Sequence, residues 1–357
     1  MYVIMNKDTL VATVSCRLVY GEEVFSLADV YGRLPYGFTN ANAWIASRQA
    51  SKHRKHIAEL LKQCGCETLT GYIRMYHCVS IIDTFWMKSR EESVTWKDVS
   101  PYINEFDEVL SKLAFEGAGL YGIQMSSTSP EFNIDGMYQK CCIRDGEDLY
   151  LIKRGSEGCI NEGFEPYSEY LTSELYSIIT EGWNVKYDLV SYHGKKASKC
   201  ELFTNEDYGY VPASLLGIND GIAGIEYFEK LGCDDIFRAM IVADAVCFNE
   251  DRHMGNYGVL VDNTTLTPTF IAPIFDHNRS LLWASWNDYD EYVKTHNTVF
   301  GKDWVLNAKQ VLTPKLRATL INLNGYEIKF KCDSKFTEDR LRNINRKINE
   351  QINNILR

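Results

Sequence analysis

The sequence predicts an α+β chain: an N-terminal accessory α/β domain, then a small β-rich lobe, then a larger helical lobe. Three observations carry this. At 357 residues the chain is too long for one ordinary core. Apolar runs broken by turn residues mark a strand-rich stretch before about residue 205. After about residue 210, apolar residues recur at three- and four-residue steps. The expected boundaries are 1–120 for the accessory domain, 121–205 for the β-rich lobe and 206–357 for the helical lobe.

Residues 1–20 alternate and are rich in Val, Leu and Tyr, which predicts a strand pair with a turn at Gly21. Residues 40–64 read as a helix with Trp44, Ile45, Ile57, Leu60 and Leu61 on its apolar face. Residues 78–120 mix aromatics and acids, among them Phe85, Trp86, Trp96, Phe106, Leu110 and Leu113, and nothing there looks catalytic. The polar run Ser126-Ser127-Thr128-Ser129-Pro130 reads as a linker. Cys141-Cys142-Ile143 and Leu149-Tyr150-Leu151-Ile152 flank a turn with Asp145-Gly146, a hairpin signal. Residues 167–180 read as an amphipathic helix with Leu171, Leu175, Ile178 and Ile179 on one side. Residues 185–192 and 197–204 read as two more strands. Asp234 or Asp235 is expected to cap a helix through Ile236, Met240, Ile241 and Val246. Thr337 is expected to cap the last helix, whose stripe is Leu341, Ile344, Ile348, Ile352 and Ile355.

Hydrophobic residues make up 45% and charged residues 24%, an ordinary globular balance. A net charge of −10 argues against a large basic face, so direct nucleic-acid binding is not expected. The densest basic run, Lys52-His53-Arg54-Lys55, reads as a solvated helix face. The start has no basic segment followed by an apolar run, so it does not read as a signal peptide. No stretch approaches the ~18 apolar residues of a membrane span. A cytoplasmic protein without membrane attachment is the expectation. The eleven cysteines are scattered and odd in number, which suits reduced thiols. Cys64-Gly65-Cys66 with His77-Cys78 does not have zinc-ligand spacing.

The segment that carries chemistry is Asn249-Glu250-Asp251-Arg252-His253-Met254-Gly255-Asn256, where an acid, Asp251, precedes an amide, Asn256, by five residues. Twenty residues beyond Asn256, at the end of the apolar run Phe270–Phe275, stands Asp276. Phosphoryl transfer needs these types: one carboxylate to take the proton of the attacking hydroxyl, and hard oxygens to hold Mg²⁺ against phosphates. An acid and an amide alone would suit a capped loop; Asp276 in its apolar setting tips the reading to catalysis. Arg252 suits pairing with a carboxylate to hold the loop, and His253 suits orienting it. Lys153 ends the run Leu149–Ile152 and is the candidate cation for the α- and β-phosphates of ATP. Glu169 is its candidate partner, with Glu174 as the rival on the same helix. Gly136, in the turn Asn133–Lys140, would let backbone N–H groups approach a phosphate, and Lys140 adds charge. The segment Cys200-Glu201-Leu202-Phe203-Thr204 sits where the β-rich part ends and is the candidate adenine slot.

The run Asn249-x-Asp251-Arg252-His253-x-x-Asn256, with Pro273-Ile274-Phe275-Asp276 behind it, resembles the HipA-like kinases of bacteria. The resemblance extends to Gly136-x-x-Gln139-Lys140, Leu151-Ile152-Lys153 and Ser168-Glu169, and covers roughly residues 125–300. It implies a two-lobed protein-kinase-like fold and serine/threonine kinase activity, often as the toxin of a toxin–antitoxin pair. It implies Asp251 as base, Asn256 and Asp276 on Mg²⁺, and Lys153 on ATP. It implies a protein hydroxyl as acceptor and leaves room for an antitoxin-like partner. In one respect the sequence departs. The family's type member has an autophosphorylated serine in its phosphate loop; aligned on Gly136, this chain has Asn133 there, with Ser126, Ser127, Thr128 and Ser129 upstream. A kinase for a small molecule or lipid head group, and a non-catalytic nucleotide-binding module, share the same residues and stay open.

Overall fold

A computed structural model describes residues 1–49, 68–106, 108–116, 139–158, 162–282, 288–296, 298, 300–301 and 303–357. Gly136, the basic run at 52–55, Ile57, Leu60, Leu61, Cys64, Cys66 and the polar stretch 126–130 lie outside these residues. The chain divides into two compact units, Met1–Lys153 with Thr204–Val211 and Leu260–Pro268, and Arg154–Phe203 with Pro212–Val259 and Thr269–Arg357.

The first unit opens with the expected strand pair, β1 (Tyr2–Asn6) and β2 (Thr9–Val19). Gly21, at φ +86°, turns the chain into β3 (Glu22–Val30), the left-handed conformation that glycine adopts without strain. Helices α1 (Ala41–Ser47) and α2 (Leu69–Tyr76) follow, then β4 (Phe85–Ser89), α3 (Trp96–Val99) and α4 (Glu108–Glu116). The four strands form one antiparallel sheet in the order β3-β2-β1-β4. Side chains alternate between its faces. Ile4, Phe85 and Met87 pack with Trp44 and Ile45 of α1 and Tyr72, Ile73 and Tyr76 of α2. Val3, Met5 and Trp86 pack with Trp96 and Val99 of α3 on the other face. β3 is an edge strand. The Phe25 N–H donates to Asn42 Oδ1 at 2.6 Å, and Asn42 Nδ2 donates to the Glu23 carbonyl at 2.8 Å.

The expected hairpin is β5 (Lys140–Asp145) and β6 (Asp148–Arg154), closed at Gly146 with φ +64°. Its register sets Lys140 opposite Lys153 and Asp145 opposite Asp148. Two later segments complete the unit. The Tyr210 N–H donates to the Ile82 carbonyl at 2.7 Å, Thr204 Oγ1 to the Ile81 carbonyl at 2.6 Å, and Arg33 Nη1 to the Leu266 carbonyl at 2.6 Å.

In chain order the remaining elements are α5 (Glu165–Ile179), β7 (Asp188–Tyr192), β8 (Lys195–Glu201), β9 (Tyr208–Pro212), α6 (Gly221–Lys230), α7 (Asp234–Cys247), β10 (Gly258–Asp262) and β11 (Thr267–Ile271). They end with α8 (Tyr289–Thr295), α9 (Trp304–Val311), α10 (Pro314–Leu323) and α11 (Glu338–Leu356). Helix α7 is the core of the second unit: every residue from Ala239 to Cys247 is buried, and α5, α6, α9 and α11 pack on it. A helix buried all round must be apolar all round, which makes its one interior carboxylate, Asp244, conspicuous.

Some local expectations need correction. Neither Asp234 nor Asp235 caps α7. Gly232, at φ +69°, turns the chain early, Cys233 takes the cap position, and the two acids fill the first turn, where the helix dipole favours them. Ile178 is exposed, because α5 turns Leu171, Leu175 and Ile179 inward instead. The strand expected at 185–192 ends at Tyr192 but begins only at Asp188, and the one expected at 197–204 is shifted to Lys195–Glu201, since β7 and β8 pair as a tight hairpin around Gly194 at φ +73°. The last helix does start on Thr337, whose hydroxyl accepts from the Arg340 N–H at 3.3 Å, and its isoleucine stripe is buried. Among the described residues no helix is long and apolar enough to cross a membrane.

Candidate functional site

Helix α7 stops at Phe248, a non-glycine residue at φ +55°. Its ring is buried edge-on to Trp304 at 5.8 Å, which holds a conformation the backbone would otherwise resist. The loop that follows is closed by its own hydrogen bonds. The Asp251 N–H donates to Asn249 Oδ1 at 3.1 Å, the His253 N–H to the Asp251 carbonyl at 2.8 Å, and the Asn256 N–H to the His253 carbonyl at 2.8 Å. Asn256 Nδ2 donates to the Asp251 carbonyl at 3.0 Å. That bond commits the nitrogen end of the amide inward and leaves Oδ1 as the end available to a ligand. His253 is exposed, and its Nδ1 accepts from the Gly255 N–H at 3.0 Å. A Cβ on residue 255 would meet that ring at 2.8 Å, so the His253 ring packs closely on the loop backbone.

Arg252 joins this loop to the second segment. Its side chain is fully buried. Nη1 donates to the Asn256 carbonyl at 2.9 Å and also to the Phe275 carbonyl. Its Nε and Nη2 reach Asp244 of α7, each at 3.2 Å from Oδ1. Asn249 Nδ2, at 2.9 Å, and the Tyr176 hydroxyl of α5 complete the carboxylate's partners. Burial pushes the Asp244 carboxyl up, against the Arg252 charge and these hydrogen bonds. Burial also opposes the Arg252 charge, yet Asp244 beside it turns the balance upward. Four donors converge on Asp244, so the pair is charged.

The second segment runs from β11 through Asp276, which takes φ +59°. Its N–H donates to the Tyr187 hydroxyl at 3.1 Å. Beyond it, Ser168 Oγ donates to the Ser280 carbonyl at 3.0 Å, and the Leu281 N–H to the Cys247 carbonyl at 2.7 Å. The Glu250 N–H donates to the Arg279 carbonyl at 3.3 Å, so the two segments run side by side. Arg279 Nε stands 3.7 Å from Asp251 Oδ2. Burial pushes the Asp251 carboxyl up. Arg279 and His253 oppose that shift, and Asp276 and Glu250 add to it. Asp251, Asn256 and Asp276 thus share one neighbourhood within the second unit.

The other sequence candidates fall as follows. Phe203 lies tilted against Phe275, with ring centroids 5.2 Å apart, next to Asp276 in sequence, while Glu201 is exposed at the end of β8. Glu169 is buried and accepts from Ser198 Oγ of β8; Glu174 is half-buried and acts through space on Tyr326. In the first unit Lys153 and Lys140 are both buried, in register on one face of the β5–β6 hairpin. Gln139, half-buried, precedes them. Asp276 and the Asn256 amide oxygen are hard donors that fit Mg²⁺, which takes one or two protein ligands and fills its shell with water and phosphate oxygens.

Asp244, Tyr176, Tyr187 and Arg279 were not foreseen. Asp244 alone had a local signal, an acid inside an apolar helical run. The others acquire their positions only through tertiary packing.

No protein-family model matches the chain, and no curated protein matches it. Among solved structures it is similar to HipA of Shewanella oneidensis, determined in a toxin–antitoxin complex with HipB and operator DNA. That match has 9% identity and a TM-score of 0.54, and covers 100% of this chain and 99% of that one. It is also similar to the proinflammatory kinase CtkA of Helicobacter pylori, with 19% identity, a TM-score of 0.40, and 61% of this chain and 91% of that one covered. The full-length match shows the fold: mixed α and β, HipA-like.

Proposed function

We propose, taking the HipA-like kinase fold as premise, that this chain is an ATP- and Mg²⁺-dependent protein kinase acting on serine or threonine hydroxyls. The observation that carries the reading is the Arg252 fork. One buried guanidinium binds the carbonyls of Asn256 and Phe275, and so brings the Asp251 loop to Asp276.

In this reading Asp251 receives the proton of the acceptor hydroxyl. Its burial raises its basicity above that of an ordinary carboxylate, in the direction a base requires. Asn256 and Asp276 would hold Mg²⁺, which supplies charge neutralisation at the phosphates. Lys153, with Lys140 beside it, is assigned to the α- and β-phosphates, supported by their shared register and burial. Gly136 and Gln139 belong to the phosphate-covering turn, Glu169 is the candidate partner of Lys153, and Glu201 and Phe203 flank the adenine. Residues 1–120 act as an accessory domain, 121–205 as the nucleotide lobe and 206–357 as the helical lobe. An antitoxin-like protein partner belongs to the same proposal, since the HipA structure was determined with HipB.

The test is incubation of the purified chain with Mg²⁺ and γ-labelled ATP, beside Asp251→Ala and Asp276→Ala. The expected result is label on protein, lost in both variants. ATP turnover without protein label would move the assignment to a small acceptor. Bound ATP with neither label nor turnover would leave a nucleotide-binding module.

A further inference from the structure

Between α5 and β7 lies a short segment, residues 183–187, to which the kinase reading gives no role. It runs parallel to the approach to Asp276, with a bridge between Asn184 and Ile274. The Trp183 indole N–H donates to the Ile271 carbonyl at 3.0 Å, the Ile274 N–H to the Trp183 carbonyl at 3.2 Å, and the Val185 N–H to the Ile274 carbonyl at 2.8 Å. Asn184 ties the same segment back to α5. Its Nδ2 donates to the Ser173 carbonyl at 3.1 Å, and its Oδ1 accepts from Ser177 Oγ at 2.9 Å. The segment is a fixed rail, and Tyr187, buried, stands at its end.

Two side chains meet the peptide group between Phe275 and Asp276. Its carbonyl accepts from Arg252 Nη1, and its N–H donates to the Tyr187 hydroxyl at 3.1 Å. One side chain comes from the loop after α7, the other from the rail. A planar peptide held at both of its polar groups resists rotation. Beyond it Asp276 takes φ +59°, a conformation uncommon outside glycine, which persists where the surroundings determine it. The backbone there sets the direction of the Cα–Cβ bond, and so the direction of the carboxylate. The Tyr187 ring is itself set edge-on to His277, with centroids 5.8 Å apart.

We propose that Tyr187 is a positioning residue for the metal: by holding the Asp276 N–H, its hydroxyl keeps the Asp276 carboxylate in the orientation that receives Mg²⁺. The inference rests on the kinase reading above, which makes Asp276 a metal ligand. Tyr187 touches neither metal nor substrate in this role. Without the hydroxyl the N–H loses its acceptor, and the backbone relaxes away from the direction the ion needs. Mg²⁺ is a strict reader of that direction, because it demands near-ideal octahedral geometry.

The test compares wild type with Tyr187→Phe, Asp276→Ala and the double variant, all as full chains. Mn²⁺, a paramagnetic stand-in for Mg²⁺, is titrated into each protein with ADP present, and the bound ion is read by electron paramagnetic resonance. Tyr187→Phe should weaken Mn²⁺ about tenfold while binding metal-free ADP within about twofold of wild type. In the Asp276→Ala background the same substitution should change Mn²⁺ affinity by less than about twofold, because its effect passes through that carboxylate. In kinase assays Tyr187→Phe should raise the KM for Mg²⁺ and recover kcat at saturating Mg²⁺, a split that a general loss of stability does not produce. Hydrogen exchange needs no variant: the Asp276 amide should exchange slowly in wild type. A phenylalanine variant that binds Mn²⁺ as wild type does, or that weakens it equally with and without the Asp276 carboxylate, overturns the inference and leaves the kinase reading standing. A rapidly exchanging Asp276 amide in the folded wild type does the same. A wild type that binds ADP but takes up no Mn²⁺ sinks the kinase reading, and this inference with it.

Discussion

Arg252 and Asp244 face each other without water, and each depends on the other's charge. Removing one partner of such a pair strands a buried charge, which costs about 3–5 kcal/mol. Asp244→Ala is therefore expected to lower the unfolding free energy by about that amount, read from the urea midpoint at constant slope. A second residue-scale expectation concerns His77 in the first unit. It sits buried at φ +52°, 6.1 Å from the Trp86 ring, with Glu92 at 3.5 Å. Burial pushes this imidazole below its usual range; Lys88 acts the same way, and Glu92 pulls against both. A histidine lowered in the fold takes its proton more readily once unfolded. Its stability contribution is complete above the unfolded value near ~6.5 and falls as pH drops toward the lowered folded value. His77→Asn keeps a residue that tolerates positive φ and removes the titration. Melting temperatures at pH 7.5 and 5.5 should then fall less on acidification than in wild type; an equal fall would show that His77 does not contribute.

Elements differ in how openly they are written in the chain. The β5–β6 hairpin and the Thr337 cap are local, needing only an Asp-Gly between apolar runs and a threonine before an isoleucine stripe. The Asp251–Asn256 spacing is local too, and so was legible. The start of α7 was misread because the glycine before it sets the boundary, whereas the two acids attracted the prediction. Arg279 and Tyr187 were invisible for another reason: each reaches its partner across the fold, and nothing in the neighbouring residues announces that. Helices α6 and α7 illustrate the same point. Gly224 lies against Phe237, whose ring also stacks on Phe228 at 4.9 Å. A Cβ on residue 224 would come within 2.4 Å of that ring. Although alanine favours helix, Gly224→Ala is expected to destabilise by about 1–3 kcal/mol through overpacking, measured by denaturant unfolding.

At the scale of the whole molecule, the first unit is assembled from three stretches of chain. Its sheet is built before residue 90, but it also takes in residues 204–211 and 260–268. Those late segments find partners in Ile81, Ile82, Asn6 and Arg33. Deleting residues 1–120 would strip these partners from strands that remain. The fragment 121–357 is expected to aggregate, with loss from the soluble fraction and a void-volume peak in size exclusion. A monodisperse fragment would show that the late segments can do without their partners. Composition and periodicity report content and local pattern, and neither reports which distant strands complete one another.

The Arg252 fork grips main-chain carbonyls, and every residue type has one. The residues proposed to react can therefore be exchanged without loosening what holds them in place. A lineage of such chains could lose Asp276 or Asn256 and still inherit the same architecture. In relatives, the persistence of the fork would record descent, and only the acid and amide side chains would report whether the chemistry has survived.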